Sequence, residues 1–432
     1  MTEAVGVGLL GLGRVGSAVA SRLISDWELL SERCGGPTPV LRRVAVRDVT
    51  RSRDVNLRSV PLGDDPYAVV DDDSVSLVVE AIGGLEPATE LIEHALRRGK
   101  TVVTANKAVM ARSGALLSKV AAQHRAALYF EAAVGAGLPV VTLLLEALGG
   151  DRINSIDAII NGTTNVMLTR MRQDGCSFEV ALQEAQRRGF AEADPSSDLD
   201  GWDAAYKLLI LARIAFGADL DVAHVDRRGI RDVHLADLAY TGQLGYAVKL
   251  LAHAERSGTD GAVAMRVQPT AVPASHFFFT MDDSDNAVTI ISDMAKHITV
   301  SGLGAGGVST ASAVISDIVR AVRAPNRSLT IHGETRRARM MDDEELEVAG
   351  YVRVLIEDVL DARELVVQAL ADRGVAVGEL VEKPPLDGTH PQLLLLTRSA
   401  PVAVHRRALE TLDSLAVVHD VAAALDRIEP AA

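Results

Sequence analysis

The sequence has 432 residues, 48% of them hydrophobic and 24% charged, which is the composition of an ordinary globular protein with room for two or three domains. The formal net charge of -14 argues against a general nucleic-acid binder, and no apolar run is long enough to cross a membrane. Two widely separated cysteines provide neither a disulfide framework nor a thiolate metal site, and without a signal peptide the predicted location is cytoplasmic.

The N-terminus is predicted to form a strand, a glycine-rich turn and a helix. An apolar run over residues 4–10 precedes the turn, and helical spacing follows over 17–24. In a dinucleotide-binding fold the first glycine permits a tight turn, the second lets the backbone approach a pyrophosphate, and the third allows close packing of helix on strand. The turn has this spacing and predicts a dinucleotide site; the alternative is a glycine-rich turn without a ligand. Its residues are Gly11, Leu12, Gly13, Arg14, Val15 and Gly16.

A second apolar strand, over 40–46, ends in Arg47 rather than in the acidic residue that would hold the ribose of NAD. Arg51 and Arg53 follow in the same loop, and arginines at this place can pair with the 2′-phosphate of NADP. We therefore predict NADP as the preferred cofactor. Asp48 leaves NAD as one alternative, and three solvated arginines on a loop are the other.

The next strands are predicted over 76–82 and 101–104. In a doubly wound parallel sheet, ligands bind in the crevice outside the carboxyl ends of the strands. Ile82 and Gly83 lie at the end of the first of these strands, and Lys107 follows the second. We therefore predict that these three residues lie at the cofactor and substrate site.

A strand over 128–131 leads into a glycine-rich loop, a helix over 139–148 and a further strand over 153–160. The glycines allow main-chain carbonyls of the loop to face an ion or a ligand. The polar turn 161–165 follows and caps a helix that runs to residue 172. Its backbone and hydroxyl groups can bind a substrate, and a plain helix cap is the alternative.

The stretch 192–207 contains five carboxylates and one lysine, just ahead of an apolar helical run. Carboxylates this close repel one another unless a cation or a proton compensates, which predicts a loop that binds a cationic group or takes part in proton chemistry. Asp203 and Lys207 are four residues apart and therefore share one face of the helix that follows. The alternative is a solvated acidic loop with an ordinary helical ion pair.

Farther along, we predict a helix over 235–254, strands over 262–272 and 287–300, and core packing for the phenylalanine cluster 277–279. A glycine-rich run that contains Gly306 and precedes another helix predicts a second close approach of backbone to the cofactor. The last part of the chain alternates strand and helix patterns in a βαββαβ order, which is typical of a small separate domain.

Several motifs together resemble those of the homoserine dehydrogenases over essentially the whole chain. The most specific are Glu-Ala-Asp-Pro and Asp-Gly-x-Asp-x-x-x-Lys, in this order and after Asn-Gly-Thr-Thr-Asn. The glycine turn is shared with many other families and adds less. The matching segments are residues 11–16, 104–107, 131–139, 161–165, 189–195, 200–207, 245–250 and 304–306.

The resemblance implies reversible NAD(P)H-dependent reduction of L-aspartate 4-semialdehyde to L-homoserine, in the threonine and methionine branch of amino-acid biosynthesis. It implies that Lys207 is the proton donor, Lys107 its partner near the nicotinamide, and Asp203 the carboxylate that orients Lys207. Hydride addition leaves an alkoxide, which a positioned ammonium stabilises and protonates. The substrate also carries an ammonium group, which carboxylates can hold. The residues implied for substrate binding are Glu192, Asp198, Gly162 and Thr163.

The resemblance also implies a monovalent cation, sodium above all, in the loop after the strand 128–131; a structural turn is the alternative. The implied ligands are the side chain of Glu131 and the main-chain carbonyls of Val134, Ala136 and Leu138. Enzymes of this family generally dimerise through the second domain, so we expect a homodimer or a higher homo-oligomer.

The implied fold class is α/β. Residues 1–135 form a Rossmann-type, doubly wound NAD(P)-binding domain, onto which 303–325 packs back. Residues 136–302 form an α+β domain for substrate binding, catalysis and dimerisation. Residues 326–347 are a linker, and 348–432 form a βαββαβ domain that resembles the regulatory ACT domain.

The ACT-like domain departs from the family pattern at one turn. Residues 357–363 contain neither the proline nor the glycine of the usual Asp-x-Pro-Gly sequence, whose glycine lets backbone NH groups approach an amino-acid effector. This departure argues against threonine as an effector, and a role in assembly alone is the alternative.

Two other functions remain open on the same scaffold. One is another NAD(P)-dependent amino-acid semialdehyde reductase, and the other is a nucleotide-sensing protein without catalysis. The intact set of Lys107, Glu192, Asp203 and Lys207 favours the enzyme, because a sensor has no chemical need for both lysines. No aspartokinase-like segment precedes Met1, so a monofunctional enzyme is expected.

Overall fold

The computed structural model describes residues 4–258, 260–325, 336–386 and 388–430. None of the helices in these residues is both long and apolar enough to cross a membrane. The strands are β1 Ala4–Leu10, β2 Thr38–Ala45, β3 Leu62–Gly63, β4 Leu77–Glu80, β5 Thr101–Thr104, β6 Leu128–Tyr129, β7 Ile153–Ile159, β8 Ala218–Asp219, β9 Asp226–Arg227, β10 Tyr246–Arg256, β11 Val263–Pro273, β12 Asp285–Ser292, β13 His297–Leu303, β14 Arg336–Arg337, β15 Glu347–Ile356, β16 Val377–Lys383, β17 Gln392–Thr397, β18 Ala400–Pro401 and β19 Val418–Arg427. The α-helices are α1 Arg14–Ser25, α2 Trp27–Cys34, α3 Tyr67–Val70, α4 Ala88–Arg97, α5 Lys107–Gln123, α6 Val140–Thr142, α7 Gly162–Asp174, α8 Phe178–Arg187, α9 Ser196–Leu199, α10 Trp202–Phe216, α11 Leu235–Gln243, α12 Gly307–Arg323, α13 Ala362–Asp372 and α14 Val402–Asp413.

The chain divides into two compact units. The first unit comprises Met1–Ile156, Tyr206–Val222 and Asp285–Ala338, and the second comprises Asp157–Ala205, Ala223–Ser284 and Arg339–Ala432. The divisions fall inside β7 and α10, so packing does not follow simple segments of sequence. The three-domain division expected from the sequence stays a prediction, and part of its linker, residues 326–335, lies outside the described residues.

The first unit contains a parallel sheet in the order β3-β2-β1-β4-β5-β6. Each pairing along this order is parallel, which confirms the predicted doubly wound, Rossmann-type sheet. The inner strands are runs of buried apolar residues, as expected where helices cover both faces of a parallel sheet. The order reverses between β1 and β4, so the crevice for a ligand lies outside the carboxyl ends of these strands.

Helix α12, near the end of the first unit, packs against α1, which follows the glycine turn. A Cβ atom added to Gly307 would lie 2.9 Å from the Cβ of Arg14, so the start of α12 touches the start of α1. The inward face of α12 is apolar and includes Ala311, Val314 and Ile318. This contact places Gly306 beside the N-terminus of α1.

The second unit contains the strand order β10-β11-β19-β15-β17-β16. The long strands β10 and β11 pair antiparallel, and β19 runs parallel to the end of β11. The last four strands of this order, with α13 and α14, have the predicted βαββαβ order and pair antiparallel with one another. Their core is apolar, with Val354, Val366 and Leu395 fully buried.

Two predicted elements of the second half were wrong. The helix predicted over 235–254 is helix α11 followed by strand β10, because Gly245 turns the chain with φ of 82°. The strand predicted over 287–300 is the antiparallel hairpin of β12 and β13, with Lys296 at φ of 64° in the turn. Strand β10 is buried along most of its length, so it lacks the alternation that marks a half-exposed strand.

Smaller corrections concern the ends of elements. Strand β6 ends at Tyr129, and Glu131 begins a 3₁₀ segment, Glu131–Ala133, instead of ending the strand. The helix predicted over 139–148 is the short α6 continued by a π-helical segment, Leu143–Ala147. Among the three phenylalanines 277–279 only Phe278 is fully buried, so core packing explains that residue alone.

The acidic stretch is more helical than predicted. Residues 196–199, including Asp198, form the short helix α9, and the residue that separates it from α10 is Gly201, with φ of 79°. The residues after Asn161 are likewise not a turn, because α7 begins at Gly162. The polar groups of both stretches are therefore held on regular backbone.

Candidate active site

The glycine turn at the end of β1 has the geometry of a phosphate cradle. Gly11 has φ of 95°, and a Cβ atom there would lie 2.5 Å from the carbonyl oxygen of Ala81. A Cβ on Gly16 would lie 2.1 Å from the carbonyl oxygen of Gly11, so helix α1 approaches the turn as closely as glycine allows. A Cβ on Gly13 would meet nothing within 4 Å, and this N-cap residue has no side chain to cap α1. The fold thus requires Gly11 and Gly16, while Gly13 leaves the helix N-terminus open to an anionic ligand, as a pyrophosphate site needs.

The loop after β2 carries the residues predicted to choose the cofactor. The Asp48 carboxylate accepts hydrogen bonds from the hydroxyl and the backbone NH of Thr50, at 2.6 and 2.9 Å, and these bonds lower the pKa of Asp48. Arg53 donates to the carbonyl oxygens of Arg51 and Asp48, each at 2.6 Å. Arg47 is exposed directly after the strand. Asp48 and Arg53 are therefore engaged within the loop.

A buried carboxylate that sequence reasoning missed, Glu80, organises the crevice. It lies at the end of β4 with no exposed surface. One of its oxygens accepts from the NH groups of Ile82 and Gly83, at 2.8 and 3.2 Å, and the other accepts from the Thr104 hydroxyl at 2.5 Å. Glu80 thus fixes the turn after β4 to the end of β5. The available signal was a single acidic residue closing an otherwise apolar strand.

Asn106 extends this link to the predicted site residue Lys107. Its side-chain amide donates to the carbonyl oxygen of Gly84 at 2.7 Å, and its oxygen accepts from the Val109 NH at 3.2 Å as the N-cap of α5. Lys107 is the first residue of that helix and is half-buried. The position of Lys107 is therefore set by the turn that contains Ile82 and Gly83.

Lys207 lies on α10, which the first unit holds close to α5. The buried Arg213 donates to the carbonyl oxygen of Ala111 on α5 at 2.5 Å, which joins the two helices. A cavity of about 260 Å³ in this unit is lined by Ala108 and Tyr206, the neighbours in sequence of the two lysines. Lys207 itself is half-buried. The helices that carry the two predicted catalytic lysines thus border one cavity.

In the second unit, one amide brings together two of the predicted carboxylates. Asn161 Nδ2 donates to Asp198 at 2.7 Å and to Asp203 at 2.9 Å. Asn161 Oδ1 accepts from the Thr164 NH at 2.9 Å and so caps α7. Asp203 is buried in the first turn of α10, one turn before Lys207. Sequence reasoning placed Asn161 in a capping turn but missed its contact with both carboxylates.

The remaining predicted substrate residues occupy the start of α7 and the segment before α9. Gly162 and Thr163 are buried, and the Thr163 hydroxyl donates to the carbonyl oxygen of Phe190 at 2.7 Å. Glu192 is exposed, and its main-chain oxygen accepts from Gln186 at 3.1 Å. Thr163 therefore ties α7 to the segment that carries Glu192.

Glu131, the predicted cation ligand, is buried in a carboxylate cluster of the first unit. Its side chain accepts from the NH groups of Val141 and Thr142, each at 2.8 Å, and burial raises its pKa. Asp317, which is fully buried on α12, accepts from the Glu131 NH at 2.9 Å. Burial and the nearby Glu131 charge raise the pKa of Asp317 to about 8. Arg320 pairs with Asp317 at 3.1 Å and only partly compensates this cluster.

The other predicted cation ligands follow in an irregular loop. Val134, Ala136 and Leu138 are buried, and Ala136 has a positive φ of 54°. The Leu138 carbonyl oxygen accepts from the Val140 NH at 2.9 Å, which uses one of its two lone pairs. The loop therefore holds its carbonyls by strained backbone, a feature that persists only where surrounding contacts enforce it.

Two family models match the chain. The model described as homoserine dehydrogenase matches residues 139–319, and the model described as homoserine dehydrogenase, NAD binding domain, matches residues 11–131. The chain belongs to the homoserine dehydrogenase family. It is therefore an NAD(P)-dependent oxidoreductase, and its glycine turn lies at the start of the matched NAD-binding region.

Relatives and solved structures agree over the full length. The homoserine dehydrogenase of Mycobacterium tuberculosis is 38% identical over 432 residues, which cover 98% of this chain and 97% of the relative. The crystal structure of a homoserine dehydrogenase from Thiobacillus denitrificans has a TM-score of 0.92 and 33% identity, covering 99% of this chain and all of that one. A hyperthermophilic archaeal homoserine dehydrogenase, solved in complex with NADPH, has a TM-score of 0.62 and 28% identity over 74% of this chain and 97% of that one.

Proposed function

We propose that the chain interconverts L-aspartate 4-semialdehyde and L-homoserine and prefers NADP to NAD. The observation that carries the proposal is the start of α10, where the buried Asp203 and the half-buried Lys207 lie one turn apart and Asn161 holds Asp203 beside Asp198. An amino-acid semialdehyde requires acidic groups for its ammonium and a proton donor for its carbonyl oxygen. The motif residues supply both on adjoining turns.

Lys207 is the proposed proton donor of the reduction. A bound reduced nicotinamide supplies the hydride to the carbonyl carbon, and the carbonyl electron pair moves to the oxygen. The Lys207 ammonium stabilises this oxygen and donates its proton, and the resulting amine is reprotonated from solvent. Asp203 keeps Lys207 oriented, and Lys107 adds a second positive charge from the start of α5. The reverse reaction uses Lys207 as the base.

The substrate ammonium is assigned to Glu192 and Asp198. Asp198 is held by the Asn161 amide, and Glu192 belongs to the segment that Thr163 fixes through Phe190. Gly162 and Thr163 complete the substrate side of the proposal at the N-terminus of α7, where the helix dipole favours the substrate carboxylate. A ligand carrying both charges fits this combination of groups.

The cofactor is assigned to the crevice of the parallel sheet. Arg47 is proposed to bind the 2′-phosphate of NADP, because Asp48 spends its carboxylate on Thr50 and is poorly placed to hold a ribose hydroxyl. The backbone of Gly13 approaches the pyrophosphate. The complete proposed set is Gly11, Leu12, Gly13, Arg14, Val15, Gly16, Arg47, Ile82, Gly83, Lys107 and Gly306.

A monovalent cation, sodium above all, is proposed beside Glu131. The buried carboxylates of Glu131 and Asp317 face only a partial counter-charge from Arg320, so a cation here would favour the ionised form of Glu131. Hard oxygen ligands suit such an ion. The proposed ligands are Glu131, Val134, Ala136 and Leu138.

Assembly, regulation and location are proposed from family membership. We propose a homodimer or higher homo-oligomer in the cytoplasm, and a place for the reaction in the threonine and methionine branch. The βαββαβ module is proposed to be an ACT-like domain. Its turn departs from the effector-binding pattern, so the proposal assigns it assembly before threonine binding.

The proposed function is tested by initial rates of nicotinamide reduction with L-homoserine, run separately with NADP and NAD. Turnover with a higher kcat/KM for NADP is the expected result. Folded protein that turns over other amino alcohols but not L-homoserine would make it another semialdehyde reductase. Cofactor binding without turnover on any of these substrates would favour a nucleotide sensor.

A further inference from the structure

Three side chains that the proposed reaction does not use meet at one end of the βαββαβ module. Glu357 follows the last residue of β15, His390 lies two residues before β17, and His419 is the second residue of β19. Strand β15 lies between β17 and β19 in the sheet, so the carboxylate sits between the two imidazoles. The sequence gives no hint of this cluster, because its members are about 30 residues apart and lie at ends of strands that only the sheet order brings together.

The backbone around the cluster is fixed on both sides. The Glu357 NH donates to the carbonyl oxygen of Val417 at 3.0 Å, and the Ile356 NH donates to that of Pro391 at 2.9 Å. These bonds join the end of the central strand to both neighbouring segments. The distances among the three side chains are therefore set by the sheet.

The donor atoms are close enough to share one ion. One ligand atom from each of Glu357, His390 and His419 lies within 4.8 Å of the other two. Glu357 Oε1 is 4.0 Å from His390 Nε2 and 3.8 Å from His419 Nδ1. Ligands of a tetrahedral zinc site lie about 2.0–2.2 Å from the metal, which puts them roughly 3.3 Å from each other. A contraction of several tenths of an ångström closes the cluster on an ion.

The two imidazole rings require a rotation to reach this geometry. They are stacked with centroids 3.8 Å apart and planes 11° from parallel, so their in-plane lone pairs do not converge on one point. Rotation of a histidine ring about its Cβ–Cγ bond is soft, because this torsion has broad minima. His419 and Glu357 are about half exposed, which leaves room for the change.

We propose that Glu357, His390 and His419 bind one divalent transition-metal ion, with zinc as the best match to two imidazoles and one carboxylate. This donor set leaves the fourth tetrahedral position to water. Glu357 also begins the connection from β15 to α13, in which Leu360 is 97% exposed. Metal binding therefore anchors the start of this exposed connection to both neighbouring strands.

The test uses full-length protein without an affinity tag, stripped with a chelator and titrated with Co²⁺ as a spectroscopic substitute for zinc. We expect one equivalent per chain, with the ligand-field absorption of a four-coordinate nitrogen and oxygen site, displaced by Zn²⁺. Zinc should also raise the unfolding temperature by mass action. The double variant His390→Ala/His419→Ala should lose the tight equivalent, and Glu357→Gln should weaken it by at least about 10-fold.

The control is His234→Ala, which removes an exposed histidine of the same unit and should leave the titration unchanged. Circular dichroism confirms that each variant is folded, and Glu357→Gln, a change of partly exposed surface, serves if the double variant is not. Stoichiometric Co²⁺ binding that survives in the double variant or in Glu357→Gln would overturn the assignment. So would wild-type protein that binds Co²⁺ no more tightly than the double variant.

Discussion

Replacing Asn161 by aspartate should separate its two functions. The variant keeps a side-chain oxygen for the Thr164 NH and so preserves the cap of α7. It loses the amide that donates to Asp198 and Asp203, at 2.7 and 2.9 Å, and places a third carboxylate against them. Each lost bond to a charged group is worth about 1.5–3 kcal/mol, so roughly 3–6 kcal/mol is the upper limit of the destabilisation.

The loss of stability in Asn161→Asp should depend on pH. A carboxyl held against two others has a raised pKa in the folded state, so the penalty is small near its ordinary value of about 4 and grows as pH rises. At about pH 5.5 one proton can restore a hydrogen bond within the cluster, and roughly half the penalty should remain; the full penalty should appear at about pH 8. Because Asp198 is a proposed substrate ligand, the KM for L-homoserine should also rise.

Urea unfolding at both pH values measures the change in the free energy of unfolding. Ser177→Ala, which removes the exposed cap of α8, gives the scale of a cap alone, about 1 kcal/mol. If Asn161→Asp lost no more stability than Ser177→Ala and showed no dependence on pH, the Asn161 amide would not be holding the two carboxylates.

Three further variants test other parts of the site. Arg47→Ala should weaken NADPH binding at least about 10-fold more than NADH binding in fluorescence titrations, with Arg53→Ala as the control; equal losses would contradict the assignment. Glu80→Gln should lower the free energy of unfolding by about 2–3 kcal/mol and raise the KM for the cofactor, since the amide cannot accept all three hydrogen bonds; unchanged urea unfolding would refute this role. Asp317 has a folded pKa of about 8, above its ordinary value, so its folded form takes up a proton and stability falls as pH rises from about 4 to about 8. The decline between pH 6 and pH 8, at most about 3 kcal/mol, should be much smaller in Asp317→Asn; parallel pH profiles would show that Asp317 is not the group responsible.

Local patterns predicted those elements that local chemistry decides. The glycine turn after β1 follows from steric needs at Gly11 and Gly16, and the parallel strands followed as short apolar runs between helical segments. The helix that carries Asp203 and Lys207 could be placed because Gly201 precedes it with positive φ. Spacing along one helix then put both side chains on one face.

The remaining features depend on contacts between segments that are distant in sequence. Asn161 meets carboxylates about 40 residues later, and Glu80 meets Thr104 across two strands, so no short motif reveals either contact. Burial misled the prediction at β10, because a strand with both faces covered has the same continuous apolar run as a buried helix. The cluster at Glu357 depends on the order of strands in the final module.

The central claim is that Lys207 donates the proton in an NADP-dependent homoserine dehydrogenase reaction. The most direct measurement compares wild type, Lys207→Ala and the exposed-lysine control Lys119→Ala, with L-homoserine and NADP, alongside a cofactor titration of each protein. We expect kcat to fall about 100-fold or more in Lys207→Ala alone, with nearly unchanged cofactor affinity. Full activity in Lys207→Ala, or an equal loss of cofactor binding, would contradict the account.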